Sequence, residues 1–250
     1  MVMKTVYLDY DTPQLLRRTV ACIGGFDGFH RGHQALVNRV LEVARERNLK
    51  SAVITFDQYS SDLFRKNEDP AIRNKHVMNL DQKLEYLERA GIDYAYVLKF
   101  NKTLIEMKPD KFIRYLNDMS IAYLVFGFDF SFGHMGRGNA NTLKSSQIRR
   151  FEVEMVDPVE DGGKKISSSR IISLISRGRI SEANRLLGHN YVIDGYVRGN
   201  RFISKDNVVP KEGVFSTVIN GDRRITGIKW GYIMVSDQAD VKRIEFINEV

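Results

Sequence analysis

The hydrophobic pattern of this chain changes period near residue 188, and that change constrains its fold more than any other feature. Before it, short apolar runs alternate with longer amphipathic ones. TVACIGG at 19–25, AVITF at 52–56, YAYVLKF at 94–100, AYLVF at 122–126 and FEVEMV at 151–156 have the length and β-branched or aromatic content of strands. Between them, QALVNRVLEVARERN (34–48) sets Leu36, Val40, Val43 and Ala44 on one helical stripe. LDQKLEYLERAG (80–91) closes with Gly91 as a C-cap, and PDKFIRYLNDM (109–119) opens with Pro109 in a first helical turn. Tyr7 and Leu8 suggest an added edge strand. Strand and helix in repeated alternation imply a Rossmann-like α/β domain, with a parallel sheet whose ligand site lies beyond the carboxyl ends of its strands.

Two short helices are expected at 168–176 and 180–187, punctuated by Gly178 and Gly188. From Tyr191 onward YVIDGYV, VFSTVIN, RITGIKW, YIMVS and KRIEFIN are short, β-branched or aromatic, and separated by Gly, Asn and Asp, as in a small antiparallel β-barrel. The expected domains are therefore 1–188 and 189–250. The second bury too little apolar surface to be robust alone at roughly 60 residues, so packing on the first is expected.

Cys22 is the single cysteine, which excludes a disulfide scaffold and fits a reducing compartment. The first residues show no secretory pattern, and no run approaches about 18 uncharged apolar residues, so a cytoplasmic protein without a membrane partner is expected. Lys and Arg number 38 against 31 acids, a net charge of +7. The excess is local: residues 164–188 hold Lys164, Lys165, Arg170, Arg177, Arg179 and Arg185 against Glu182, whereas 189–250 hold 9 basic and 8 acidic residues. That distribution suits an anion site better than a basic coat, and nucleic acid is not an expected partner.

Three segments carry chemistry. GGFDGFHRGHQ (24–34) lies between a strand and a helix; its glycines allow close backbone approach, and His30 and His33 stand at a helix N-terminus that favours an anion. It is neither a GxGxxG turn nor a P-loop, and two histidines with Asp27 fall short of a zinc site. VFGFDFSFGHMGRG (125–138) reaches the same sheet edge and mixes Gly127, Gly133, Gly136 and Gly138 with four phenylalanines and Asp129, a composition suited to a planar ligand. KKISSSRIISL (164–174) places Ser167, Ser168 and Ser169 before an amphipathic helix, one serine as N-cap and Arg170 close by. No nucleophile elbow or Cys–His arrangement occurs.

With these residues in hand the chain resembles the bacterial flavin-nucleotide enzymes. In that family an FMN adenylyltransferase (FAD synthetase) domain of the HxGH nucleotidylyltransferase type is followed by a riboflavin kinase barrel. The likeness runs through 24–34, 126–138, 166–171 and EANRLLGHNYVIDGYVRGN at 182–200. It implies transfer of AMP from ATP to FMN, giving FAD and pyrophosphate, with Mg²⁺ accompanying ATP. It further implies that His30 and His33 contact the ATP phosphates, assisted by Ser167, Ser168 and Arg170. Gly24, Gly25, Phe26, Asp27, Gly32, Phe56, Gly127, Asp129, Phe130, Phe132, Gly133 and Ser169 would line the nucleotide and flavin sites. No metal ligands are assigned.

The chain also departs from the family. Its FxPHP loop is here Phe56, Asp57, Gln58, Tyr59 and Ser60; the Asn after the first glycine is Gly25; the Arg after the serine motif is Ile172, leaving Arg170 or Arg177 as replacements. The kinase segment GxPTAN is missing, so 189–250 reads as a shortened barrel without kinase activity. Alternative readings are a nucleotidylyltransferase with another phosphorylated acceptor, a bifunctional kinase and synthetase, or a non-catalytic flavin or nucleic-acid binding protein.

Overall fold

The structure, a computed structural model, describes residues 2–10, 17–57, 76–235 and 241–250. The chain forms two compact units, one of Met1–Phe26, His33–Phe64 and Leu80–Val159, the other of Asp27–Gly32, Arg65–Asn79 and Glu160–Val250.

The first unit is built on six parallel strands: β1 (Lys4–Leu8), β2 (Thr19–Ile23), β3 (Lys50–Phe56), β4 (Tyr94–Leu98), β5 (Ile121–Gly127) and, after a two-stranded ribbon of β6 (Ser131–Phe132) and β7 (Gly138–Asn139), β8 (Glu152–Val156). Their order is β1-β4-β3-β2-β5-β8. The order reverses between β2 and β5, the switch point beyond which such sheets bind ligands. All five residues of β2 are buried, as expected for a central strand covered on both faces. The expected edge strand at Tyr7 and Leu8 is β1, paired with β4 along its full length.

The helices are α1 (Arg31–Glu46), α2 (Leu80–Arg89), α3 (Lys102–Ile105), α4 (Pro109–Asp118) and α5 (Ala140–Ser145). Pro109 occupies the first turn of α4, where its missing N–H costs nothing. The buried stripe of α1 is Val37, Val40, Val43 and Ala44. Leu36, expected on it, lies on the same stripe but near the N-terminal end of α1 and is half-buried.

The second unit holds the hairpin β9 (Glu160–Asp161) and β10 (Lys164–Lys165), helices α6 (Ser168–Ser176) and α7 (Ile180–Leu187), and a closed barrel. The barrel strands are β11 (Tyr191–Arg198), β12 (Arg201–Ser204), β13 (Gly213–Ile219), β14 (Asp222–Lys229), β15 (Tyr232–Met234) and β16 (Arg243–Glu249), antiparallel in the order β11-β12-β15-β14-β13-β16. Phe202, Phe215, Ile228, Ile233, Ile244 and Phe246 fill its interior. Gly195 is required by close approach, since a Cβ there would lie 2.1 Å from the Ile203 carbonyl oxygen. The change of period at 188 marks the start of the barrel, whereas the C-terminal segment of the compact unit that holds it starts at Glu160. α7 joins β16 through Asn184 Nδ2, which donates to the Phe246 and Ile247 carbonyls at 2.9 Å each. Among the described residues no helix is long and apolar enough to cross a membrane.

Candidate functional site

The loop after β2 is held in a conformation that most residues avoid. Phe26 and Phe29 have φ of 52° and 39°, in the left-handed region, yet both rings are buried. Burial offsets a strain of about 1–3 kcal/mol per residue. Gly28, φ 80°, has no alternative, since a Cβ would meet Val77 Cγ1 at 2.8 Å.

Asp27 organises this loop. Its Oδ1 accepts the Met78 N–H at 3.0 Å, its Oδ2 lies 3.9 Å from His76 Nδ1, and its carbonyl accepts the Ser168 hydroxyl at 2.8 Å. Asn207 Nδ2 donates to Val77 O at 3.1 Å, tying the same segment to the barrel. His189 Nε2 lies 3.1 Å from Gly28 O, and burial holds this imidazole below its ordinary pKa.

His30 immediately precedes α1 and is only 6% exposed; a Cβ on Gly32 would lie 3.2 Å from its ring, so that glycine leaves the imidazole its place. The loop folds inward around His30. His33, in the first turn of α1, is half-buried, its ring 5.1 Å from that of Phe26.

Ser167 is the N-cap of α6, its Oγ accepting the Arg170 N–H at 3.3 Å. Ser168 bonds to the Asp27 loop, while Ser169 is exposed. The Arg170 guanidinium donates to Asp161 Oδ2 at 3.0 Å, Asp161 O at 3.2 Å and Lys164 O at 3.0 Å; Arg185 takes Asp161 Oδ1 at 2.7 Å. Arg170 thus pins the β9–β10 hairpin to α6. Arg177 caps the far end of α6, and Ile172 is half-buried on that helix.

Beyond the carboxyl ends of β2 and β3 the first unit opens into a cavity of about 770 Å³, within the range of ligand sites. Gly24, Gly25, Phe56, Asp129, Phe130, Phe132 and Gly133 line it. Phe130 and Phe132 stack at 5.4 Å, and Phe56 meets Phe100 edge-on at 5.4 Å. Gly127 lies behind Asp129, whose Oδ1 would be 3.4 Å from a Cβ there. Phe26 is fully buried beneath Gly24 instead of lining the cavity. Asp27, Gly32 and Ser169 belong to the second unit. Sequence reasoning missed Phe100, Leu104, Phe112 and Met135 in the lining. The apolar face of α4 hinted at Phe112, and Met135 lies inside the 125–138 segment without being named there. Gln58, Tyr59 and Ser60 of the altered acceptor loop lie outside the described residues.

A family model described as FAD synthetase matches residues 12–170, which span β2, the glycine and histidine loop, the aromatic cavity and the serine cap. The chain belongs to the FAD synthetase family. Among relatives of this FAD synthetase family member, a bifunctional riboflavin kinase/FMN adenylyltransferase of Listeria monocytogenes is 32% identical, over 99% of this chain and 86% of the relative. One from Bacillus subtilis is 30% identical over 88% and 75%. A crystal structure described as a macrolide-efflux protein from Streptococcus pneumoniae matches with TM-score 0.83 and 25% identity, covering 98% of this chain and 90% of that one. The fold is thus shared along nearly the whole chain, barrel included, with proteins carrying two different descriptions.

Proposed function

We propose that this chain transfers AMP from MgATP to FMN, releasing pyrophosphate and forming FAD in the cytoplasm. The observation that carries the reading is the Ser168 to Asp27 hydrogen bond: it joins the glycine and histidine loop to the serine cap, two anion-favouring helix N-termini, within a family whose model spans both. The relatives' adenylyltransferase activity supports the choice of reaction.

The FMN phosphate attacks the α-phosphorus of ATP. Its second pKa of about 6 leaves it anionic near neutrality, so no side chain need remove a proton. Catalysis then consists of alignment and charge stabilisation as pyrophosphate leaves. His30 and His33 would contact the phosphates, Ser167 and Ser168 would present hydroxyls and helix-terminal N–H groups, and Arg170 would fix the β9–β10 hairpin beside them. The aromatic cavity would take a planar ring of a nucleotide substrate, with Phe130 and Phe132 as its platform.

Mg²⁺ enters as part of the substrate complex. Among the described residues no three His, Cys, Asp or Glu side chains converge to hold a metal, and Asp27 spends an oxygen on Met78. This donor set fits an ion carried by the triphosphate rather than a protein cage.

In this reading residues 1–188 form the adenylyltransferase module and 189–250 a riboflavin-kinase-like barrel without kinase activity. The stretch that follows the first barrel strand, residues 197–218, carries no Thr and Asn pair like that of the family's kinase segment. Incubating the protein with MgATP and either FMN or riboflavin, followed by chromatography, tests both halves. FMN yields FAD and riboflavin yields no FMN. Purification-resistant FMN formation from riboflavin would defeat the second half, and absence of FAD with folded protein would transfer the reading to another phosphorylated acceptor.

A further inference from the structure

The outer face of the barrel carries side chains that AMP transfer does not use. Trp230, the single tryptophan of the chain, is the first residue of the two-residue turn joining β14 to β15, where Lys229 pairs with Tyr232. Trp230 and Gly231 have φ of 51° and 73°. This is the conformation of a type I′ turn, which favours Asn, Asp or Gly at its first position. A tryptophan there is strained, and Trp230 is 72% exposed, so neither backbone preference nor burial accounts for it. Glu212 Oε1 accepts the Trp230 N–H at 2.6 Å and steadies the tip.

The neighbouring hairpin adds charge. Arg198 and Arg201 pair directly across its turn, an arrangement that destabilises a bare hairpin. Neither guanidinium meets a carboxylate among the described residues. Arg201 lies over the Tyr232 ring, 4.6 Å from its centroid, so the two hairpins share one surface. Tyr196, 52% exposed, follows the same outward alternation as Arg198. Three cations and three exposed rings therefore sit together on strands that are distant in sequence.

We propose that this face binds single-stranded nucleic acid, with bases stacked on Trp230 and Tyr196, and phosphates met by Arg198, Lys229 and Arg201, which the Tyr232 ring holds in place. Rings give sequence-tolerant stacking, and paired arginines gain what they lack when phosphates lie between them. A duplex keeps its bases stacked on one another and gains less from a projecting indole. This inference does not depend on the AMP-transfer reading.

The full chain is titrated with labelled oligouridylate and oligoadenylate of about 12 nucleotides at about 50 mM salt, reading anisotropy and tryptophan emission. Saturable binding is expected, with quenched emission, steep weakening by salt, and no competition from a mononucleotide at equal phosphate. R198E with R201E weakens binding at least about 10-fold. Trp230→Asn, which suits the turn, weakens it about 5- to 100-fold while the melting temperature holds or rises. The proposal is overturned by an absence of saturable binding, by affinity unchanged in both variants, or by preference for duplex. It is equally overturned if phosphatidylserine vesicles, or self-association of the chain, perturb Trp230 while oligonucleotides do not.

Discussion

His30 and His33 stand three residues apart in different surroundings, and the difference separates their expected mutant behaviour. His33 lies half-buried on the first turn of α1. His33→Ala is expected to slow AMP transfer about 30- to 1000-fold with little change in melting temperature, the signature of a lost charge-assisted contact. His30 is enclosed, so His30→Ala should lose rate and stability together, the void adding its own cost. Gly32→Ala probes the same imidazole from outside: its Cβ arrives 3.2 Å from the ring, and turnover should fall although no polar group is removed. Thermal melts beside single-turnover rates distinguish the three. A His33→Ala enzyme with normal turnover would remove that residue from the site.

Among elements, the β9–β10 hairpin and α6 form a joint centred on Asp161. One carboxylate serves both Arg170 and Arg185. Asp161→Asn should lower stability by about 1–3 kcal/mol, seen as a shift in denaturant midpoint, because two guanidinium groups lose their partner. If Arg170 positions the serine cap, Arg170→Ala lowers the rate with it, whereas Arg177→Ala changes little. Ile172→Arg then tests whether the family's charge is missed, with a gain in the rate of pyrophosphate release as the positive result.

The junction of α7 with β11 carries a pH dependence. Burial depresses the His189 pKa below 6.5, so the unfolded chain takes up the proton first. The associated stability is present above about pH 6.5 and is lost as pH falls toward the lower folded value. Melting temperature should therefore drop over that window, and His189→Gln should flatten this component.

For the whole molecule, the compact units cross the change of hydrophobic period. Ile180, Ala183, Leu186 and Leu187 of α7 are buried in the unit that contains the barrel. A fragment ending at residue 188 would expose that face and free Asn184 and Ser181 from β16. It is expected to bind a hydrophobic dye and aggregate, although it retains every motif named for AMP transfer. A fragment as soluble and cooperative as the full chain would show that α7 needs no barrel.

The sequence by itself determined the elements whose physics is local. Repeating apolar periods specified the parallel strands and their helices, Pro109 and Gly91 marked helix ends, and Ser167 capped α6 in the place expected for a serine cap. The glycine, histidine and serine segments were legible because a phosphate-favouring helix start is written in a few consecutive residues. Tertiary structure alone decided which groups are engaged and which share a surface. Met78 and His76 beside Asp27, and Asp161 beside Arg170, are partners that no single stretch of sequence shows. Phe100 and Phe112 reach the cavity only when β4 and α4 are packed. The aromatic and basic face was invisible because Tyr196, Arg201 and Trp230 lie on different hairpins, and antiparallel registers set neighbours by pairing between strands rather than by order along the chain.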